Sequence, residues 1–248
     1  MRTVIFLDLD GTLMRNPFHS AVFPVVGAQL SAKTGLPAGD IVLRLRDENL
    51  ARRADPTVSA ALVWDWDDIV QTVAGRLGTV FEGNLAEIVA AHAAPPDTAM
   101  LDDAPDVLRS LAAPHRSLVA ATLGLSKYQL PVLDALGLRP WLAAVLAPDL
   151  TGASKQDRSF YRDWPAAADL CVMTGDLYED DIVPAQGFGF RTVWKAPAVA
   201  GLDALDPFER PAAYPFAADQ SVRPDAIIRS LAELPAVVDR LEGAVHER

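Results

Sequence analysis

Two carboxylates, Asp8 and Asp10, stand one residue apart at the end of an apolar run, TVIFLDLDGT at 3–12. Residues i and i+2 of a strand project to the same side, so at a strand's open end both would face one pocket. Like charges held so close disfavour joint ionisation, and one carboxyl would be driven to its neutral form. A magnesium ion removes the conflict, because it is a hard cation held by one or two carboxylates, waters and a substrate phosphate. Gly11 and Thr12 follow directly and permit a tight turn whose backbone N–H groups are expected to face an anion.

A second acidic group ends the run DLCVMTGD at 169–176, where Asp176, Glu179, Asp180 and Asp181 crowd six positions. Asp176 precedes the next helix and is expected to be a metal ligand, with Asp181 orienting a water beside the ion. Glu179 and Asp180 are assigned instead to the first turn of that helix, which favours negative charge. Thr122, in AATLG, offers a hydroxyl beside the N–H groups of Leu123 and Gly124, a set suited to phosphate oxygens. Lys155, in TGASKQD, supplies a compact positive charge for a phosphate or a nucleophile.

These residues must be brought together by the elements that carry them. Short apolar runs at 3–12, 117–124, 142–149, 169–176 and 189–195 lack period-2 alternation, the pattern of strands buried on both faces of a parallel sheet. Helical stretches lie between them, LSKYQLPVLDALGL and YEDDIVPAQGFG among others. Strands alternating with helices predict a Rossmann-like, doubly wound α/β sheet whose site lies at the carboxyl ends of the strands. The interval from Arg15 to Asp97 breaks the rhythm with four amphipathic stretches and no convincing strand, and is read as an inserted helical module. Residues 196–224, rich in Pro and Ala, read as a surface loop, and 225–241 as a closing strand and helix.

The motifs DLDGT at 8–12, TLG at 122–124, Lys155 in SKQD and GDLYEDD at 175–181 resemble, in order, the four motifs of the haloacid dehalogenase-like (HAD) hydrolase superfamily. The resemblance implies an α/β core at 1–14 and 98–248 with a helical cap at 15–97, similar to the phosphoglycolate phosphatase and β-phosphoglucomutase-like subgroup. It implies that Asp8 is the nucleophile and that Asp10 protonates the leaving oxygen, then deprotonates the attacking water. Mg²⁺ would be held by Asp8, the backbone carbonyl of Asp10 and Asp176, while Thr122 and Lys155 bind the transferring group. The sequence departs from the family pattern at Leu123, where relatives commonly carry Asn, and at Gln156, where Pro is common. The function expected is a Mg²⁺-dependent phosphatase acting on a small phosphorylated metabolite, such as a sugar phosphate, phosphoglycolate or a nucleoside monophosphate. A mutase shares all four motifs; a 2-haloacid dehalogenase typically lacks the second Asp; a phosphonatase would need a cap lysine, and Lys33 is the one available. A non-catalytic binding module would be free to lose Asp8, Asp10 or Lys155, all of which are present.

Other residues carry less weight. Arg15, Asn16 and His19 follow the first motif and are placed at the entrance, Asn16 as a substrate contact. Trp64 and Trp66 are read as packing within the helical module, and Arg44, Arg46, Arg52 and Arg53 as a solvated face. His19, His92, His115 and His246 show no i, i+4 zinc spacing. The 248 residues carry a net charge of −11, which opposes nucleic acid and membrane partners. A single cysteine, Cys171, read as a small buried apolar residue, fits a reducing cytoplasm. The apolar start, Thr3 to Leu7, is too short for a signal sequence and is expected to belong to the fold.

Overall fold

The computed structural model describes residues 1–197, 205–210 and 222–246. Its strands are β1 (Thr3–Leu7), β2 (Met14–Arg15), β3 (Ala99–Met100), β4 (Arg116–Ala121), β5 (Ala144–Leu146), β6 (Leu170–Gly175), β7 (Arg191–Lys195) and β8 (Ala226–Ile228). Six of them form one parallel sheet in the order β5-β4-β1-β6-β7-β8. Every apolar run read as a strand contributes to it. Side chains of β1 alternate between the faces: Ile5 and Leu7 pack in one buried cluster, Val4 and Phe6 in another. Both faces are therefore covered, which is why these strands read as continuous apolar runs.

Register decides where the chemistry goes. Leu7 pairs with Ala120 of β4 and with Thr174 of β6, so the three strands end level. Asp8, Thr122 and Asp176 thus leave the sheet along one edge, the carboxyl end. The topology reverses beside β1, with β4 to one side and β6 to the other, and such a switch point is where open α/β sheets hold their ligands.

The helical module holds helices Phe23–Thr34, Ala38–Ala54, Ala60–Val63, Trp66–Arg76 and Leu85–Ala91. Between Ala60–Val63 and Trp66–Arg76 the helical path is broken at Asp65, whose carboxylate caps the second helix by accepting from Asp67 N at 3.2 Å and Asp68 N at 3.4 Å. The base of the module is an antiparallel ribbon, Met14 opposite Met100 and Arg15 opposite Ala99, too short to leave an alternation in the sequence. Buried side chains of the module, Ile41, Leu45 and Ile69, belong to the same cluster as Ile5 and Leu7. Residues 198–204 and 211–221 of the stretch read as a surface loop lie outside the described residues. The closing strand is β8, and the final helix is Leu234–His246. Cys171 is half-buried rather than buried, and burial pushes its thiol up to about 11. Among the described residues no helix is long and apolar enough to cross a membrane.

Candidate active site

The ends of β1 and β6 and the segment after β5 converge on one lysine. Lys155, 1% exposed, donates from Nζ to Asp8 Oδ1 at 2.5 Å and to Asp181 Oδ1 at 2.6 Å. Burial alone would lower its pKa, but the carboxylates of Asp181 and Asp8 outweigh that and raise it, so the ammonium is kept. Asp181 is wholly buried and its second oxygen accepts from Leu177 N at 3.0 Å. Oxygens of Asp8, Asp176 and Asp181 all lie within 4.8 Å of one another. Burial, reinforced by the charge of Asp8, pushes the Asp176 carboxyl up to about 7, and Asp181 is raised chiefly by burial, against the pull of Lys155.

Three carboxylates around one ammonium leave an excess of negative charge in a buried place. Asp176 Oδ1 is buried and accepts no hydrogen bond. An orphaned carboxylate oxygen beside two further acidic groups is the donor set a hard divalent cation takes, so the residues fit Mg²⁺. The side chain of Asp10 is not in this trio: Oδ1 accepts from Asn16 N at 2.9 Å, and the carboxyl faces the cavity. Asp10 is exposed to the cavity, and enclosure by the cavity walls, with the negative charge of Asp8 adding, raises its pKa against the donation from Asn16 N.

Two glycines are required here: Gly11 forms the tight turn, as expected, and both make room for a neighbouring carboxylate. Gly11 has φ +86°, and a Cβ on it would lie 2.3 Å from Asp176 Oδ2. A Cβ on Gly175 would lie 2.1 Å from Asp181 Oδ2. Gly11 and Thr12 do not turn their amides to an anion: these are committed to Met14 O at 2.8 Å and Leu9 O at 3.2 Å, closing the turn, and neither residue lines the cavity. Gly11 instead leaves room for the carboxylate of Asp176. Trp194 Nε1 holds the Asp176 carbonyl at 2.9 Å, and Lys195 Nζ holds that of Gly11 at 3.0 Å, two contacts that no motif in the sequence points to.

Thr122, Leu123 and Gly124 all line the cavity. The Gly124 amide donates to Thr122 Oγ1 at 3.1 Å rather than outward, which leaves the hydroxyl proton of Thr122 for a ligand. Leu123 adds an apolar wall. Behind Gly124 stands the amide of Gln129, whose Nε2 would be 2.0 Å from a Cβ there.

The opposite wall of this cavity, about 170 Å³ in volume, belongs mostly to the helical module. Trp64 and Trp66 line it and are not merely internal packing. Phe18, Phe23 and Tyr128, unrecognised in the sequence, complete it. Their rings meet edge to face, Phe18 with Tyr128 at 5.3 Å and Phe23 with Trp66 at 5.1 Å between centroids. Of the residues placed at the entrance, Asn16 and His19 line the cavity and Arg15 does not. The one available signal was position: FHSAVF directly follows the first motif.

Two polar clasps join the module to the sheet domain. Asp180 lies in the first turn of the helical segment Tyr178–Ile182, as expected, and is in addition buried and bound by Arg53 of the module at 3.0 Å and by Gln156. Across the cavity, Lys127 Nζ donates to Asp65 Oδ1 at 2.8 Å and Asp67 Oδ2 at 2.9 Å, and the Tyr128 hydroxyl meets the same two carboxylates. Arg44 and Arg46 are exposed as expected, but Arg52 is tied to Glu48 and Asp68. Lys33 pairs with Glu82 on the module's surface, away from the cavity lining, so no lysine of the module is placed for a Schiff base.

The arrangement matches solved structures over nearly its whole length. A HAD phosphatase from Thermococcus onnurineus superposes with TM-score 0.69 at 22% identity, covering 96% of this chain and 98% of that one. The fold is haloacid dehalogenase-like. An L-2-haloacid dehalogenase from Xanthobacter autotrophicus shares that HAD-like fold with TM-score 0.63 at 19% identity, and the putative HAD-hydrolase YfnB from Bacillus subtilis, solved bound to magnesium, with 0.62 at 18%. Each comparison covers 96% of this chain and 98% of the other. No family model and no curated protein matches the sequence.

Proposed function

We propose that this chain is a hydrolase that cleaves small phosphate monoesters through an aspartyl-phosphate on Asp8, with the helical module, residues 15–97, acting as a cap over the core at 1–14 and 98–248. The observation that carries the reading is the division of labour between two carboxyls: Asp8 is locked to Lys155 within an acidic trio, while Asp10 turns a raised-pKa carboxyl to the cavity. Asp8, Asp176 and Asp181 would hold or support Mg²⁺, with the Asp10 backbone carbonyl as a further oxygen. Bound there, the ion would neutralise charge on the transferring phosphoryl group.

The residues perform the remaining steps. An oxygen of Asp8 attacks phosphorus as the bond to the leaving oxygen breaks, and Asp10 gives its proton to that oxygen. Lys155 and the Thr122 hydroxyl hold the equatorial oxygens, because phosphoryl transfer asks chiefly for positioning and charge stabilisation. Asp10, now ionised, takes a proton from water as the water's oxygen attacks phosphorus, which frees phosphate and regenerates Asp8.

A second reading, a dehalogenase using Asp8 on carbon, draws support from the apolar wall of the cavity and from the dehalogenase among the similar folds. It leaves Asp10 and the orphaned Asp176 oxygen without a task. Assays of 4-nitrophenyl phosphate hydrolysis and of chloride release from 2-chloropropionate, each with Mg²⁺ or EDTA, separate the two. Phosphate release that EDTA abolishes is expected; metal-independent chloride release with no phosphatase activity would reverse the choice.

A further inference from the structure

The floor of the cavity is charged and its roof is not. Asp8, Asp10 and Lys155 line it from the sheet domain, whereas among its lining residues from the module only His19 is ionisable. Neither of the module's nearby arginines is among the lining residues: Arg15 is exposed beside Asp10 but outside the lining, and Arg53 is engaged elsewhere. Arg53 lies against the ring of Trp64, 5.1 Å from its centroid, with its guanidinium held by Asp180. A leaving group that carried a carboxylate or a second phosphate would therefore meet no guanidinium or ammonium in the roof, and burying such a charge unpaired is unfavourable. A polyhydroxylated group would fare poorly as well. Beside Asn16 and His19, the buried Gln129, 3% exposed and with no partner for Oε1, offers a single unmade bond.

What the roof does offer is aromatic surface. Phe18, Phe23, Trp64 and Trp66 face the site with Tyr128 closing the side, and rings set edge to face favour a further planar apolar group among them. Leu123 and Leu177 continue this lining on the core side. We propose that the substrate is a phosphate monoester of a small uncharged alcohol with a planar apolar body, an aryl or arylalkyl phosphate rather than a sugar phosphate or a phosphorylated carboxylic acid. This rests on the phosphatase reading for the reaction but on the cavity alone for the choice of leaving group.

The test keeps those two apart. With Mg²⁺ present, calorimetry on the full chain would compare benzylphosphonate, methylphosphonate and phosphonoacetate, none of which can be hydrolysed at the P–C bond by the proposed route. Benzylphosphonate should bind at least about 10-fold more tightly than either of the others. Trp66→Ala and the milder Phe23→Leu should shrink that ratio while leaving methylphosphonate affinity within about twofold. In turnover, benzyl phosphate should exceed glycerol 3-phosphate in kcat/KM by a similar factor, since both release alkyl alcohols. Phosphonoacetate binding as tightly as benzylphosphonate, or both variants weakening all three ligands equally, would overturn the proposal. Failure to hydrolyse any phosphate ester while the binding ratio holds would instead remove the phosphatase reading and leave the aromatic pocket standing.

Discussion

The two walls of the cavity are built on different physics. The floor consists of charged side chains beyond the ends of neighbouring strands, held by hydrogen bonds: Lys155 by Asp8 and Asp181, Asp181 also by Leu177 N, and the Asp176 backbone carbonyl by the indole Nε1 of Trp194. The roof consists of rings from Phe18, Phe23, Trp64 and Trp66, held by packing. Every group of the floor acts on the phosphoryl end that all substrates share. An aromatic wall degrades one ring at a time. Substitutions in the floor should therefore affect every substrate alike and severely, and those in the roof should affect substrates selectively and mildly.

The sharpest way to break that contrast is at Asp8. Asp8→Asn removes the nucleophile and should lower kcat by about 10⁴-fold or more for every ester tested. It also takes one negative charge from an over-charged cluster, so the thermal midpoint of the metal-free protein should hold or rise. Residual turnover within tenfold of the parent, with an unchanged circular dichroism spectrum, would show that the floor does not work through this carboxylate.

Next in size is Gly11→Ala. The added Cβ would fall 2.3 Å from Asp176 Oδ2 at φ +86°, so Asp176 must move and the backbone is strained. A loss of about 1–2 kcal/mol in stability is expected, with Mg²⁺ affinity and turnover both reduced by about 100-fold. The stability change is read from denaturant unfolding and the affinity from Mg²⁺ titration. Normal metal affinity in the variant would mean that Gly11 serves the turn alone.

The same contrast explains what the sequence revealed. Asp8, Thr122, Lys155, Asp176 and Asp181 were legible because each follows a strand whose apolar run is visible, and parallel register carries strand ends to one edge. The six-stranded sheet was legible for that reason too. The roof was not: Phe18, Trp66 and Tyr128 meet only after the module folds onto the sheet domain, and nothing in their spacing distinguishes a ring facing a cavity from one facing a core. The turn amides of Gly11 and Thr12 were misread because local sequence shows that a turn exists, not which acceptor its N–H groups find. Asp180 was legible as a first-turn charge, but not its partner, Arg53, 127 residues away.

A smaller effect is set by pH. In the metal-free protein Asp176 titrates near 7 instead of its usual 3.8, so between those values the folded chain holds a proton that the unfolded chain has released. Stability then falls as pH rises across that window. A cation competes with the same proton, so Mg²⁺ affinity should drop about fivefold from pH 7 to pH 6. Thermal melts with and without Mg²⁺ should show a larger stabilisation at pH 8 than at pH 6. Equal shifts at the two pH values would mean that Asp176 is already ionised without the ion.

The smallest effect expected lies at the clasp between the walls. Lys127 joins Asp65 and Asp67 across the cavity and is itself partly exposed, so its ion pairs are screened and worth little in overall stability. Their importance is geometric: Tyr128, which shares the same carboxylates, is one of the rings lining the roof. Lys127→Met should loosen the seating of Trp66, whose helix begins beside Asp65, while every charged group of the floor keeps its partner. KM for benzyl phosphate should rise about three- to tenfold with kcat changed less than twofold, because binding to the roof is weakened without disturbing the reacting groups. Methylphosphonate, which reaches only the floor, should bind as before. A hundredfold loss of kcat or of Mg²⁺ affinity in this variant would show that the clasp holds the charge network itself, and floor and roof would then be a single device.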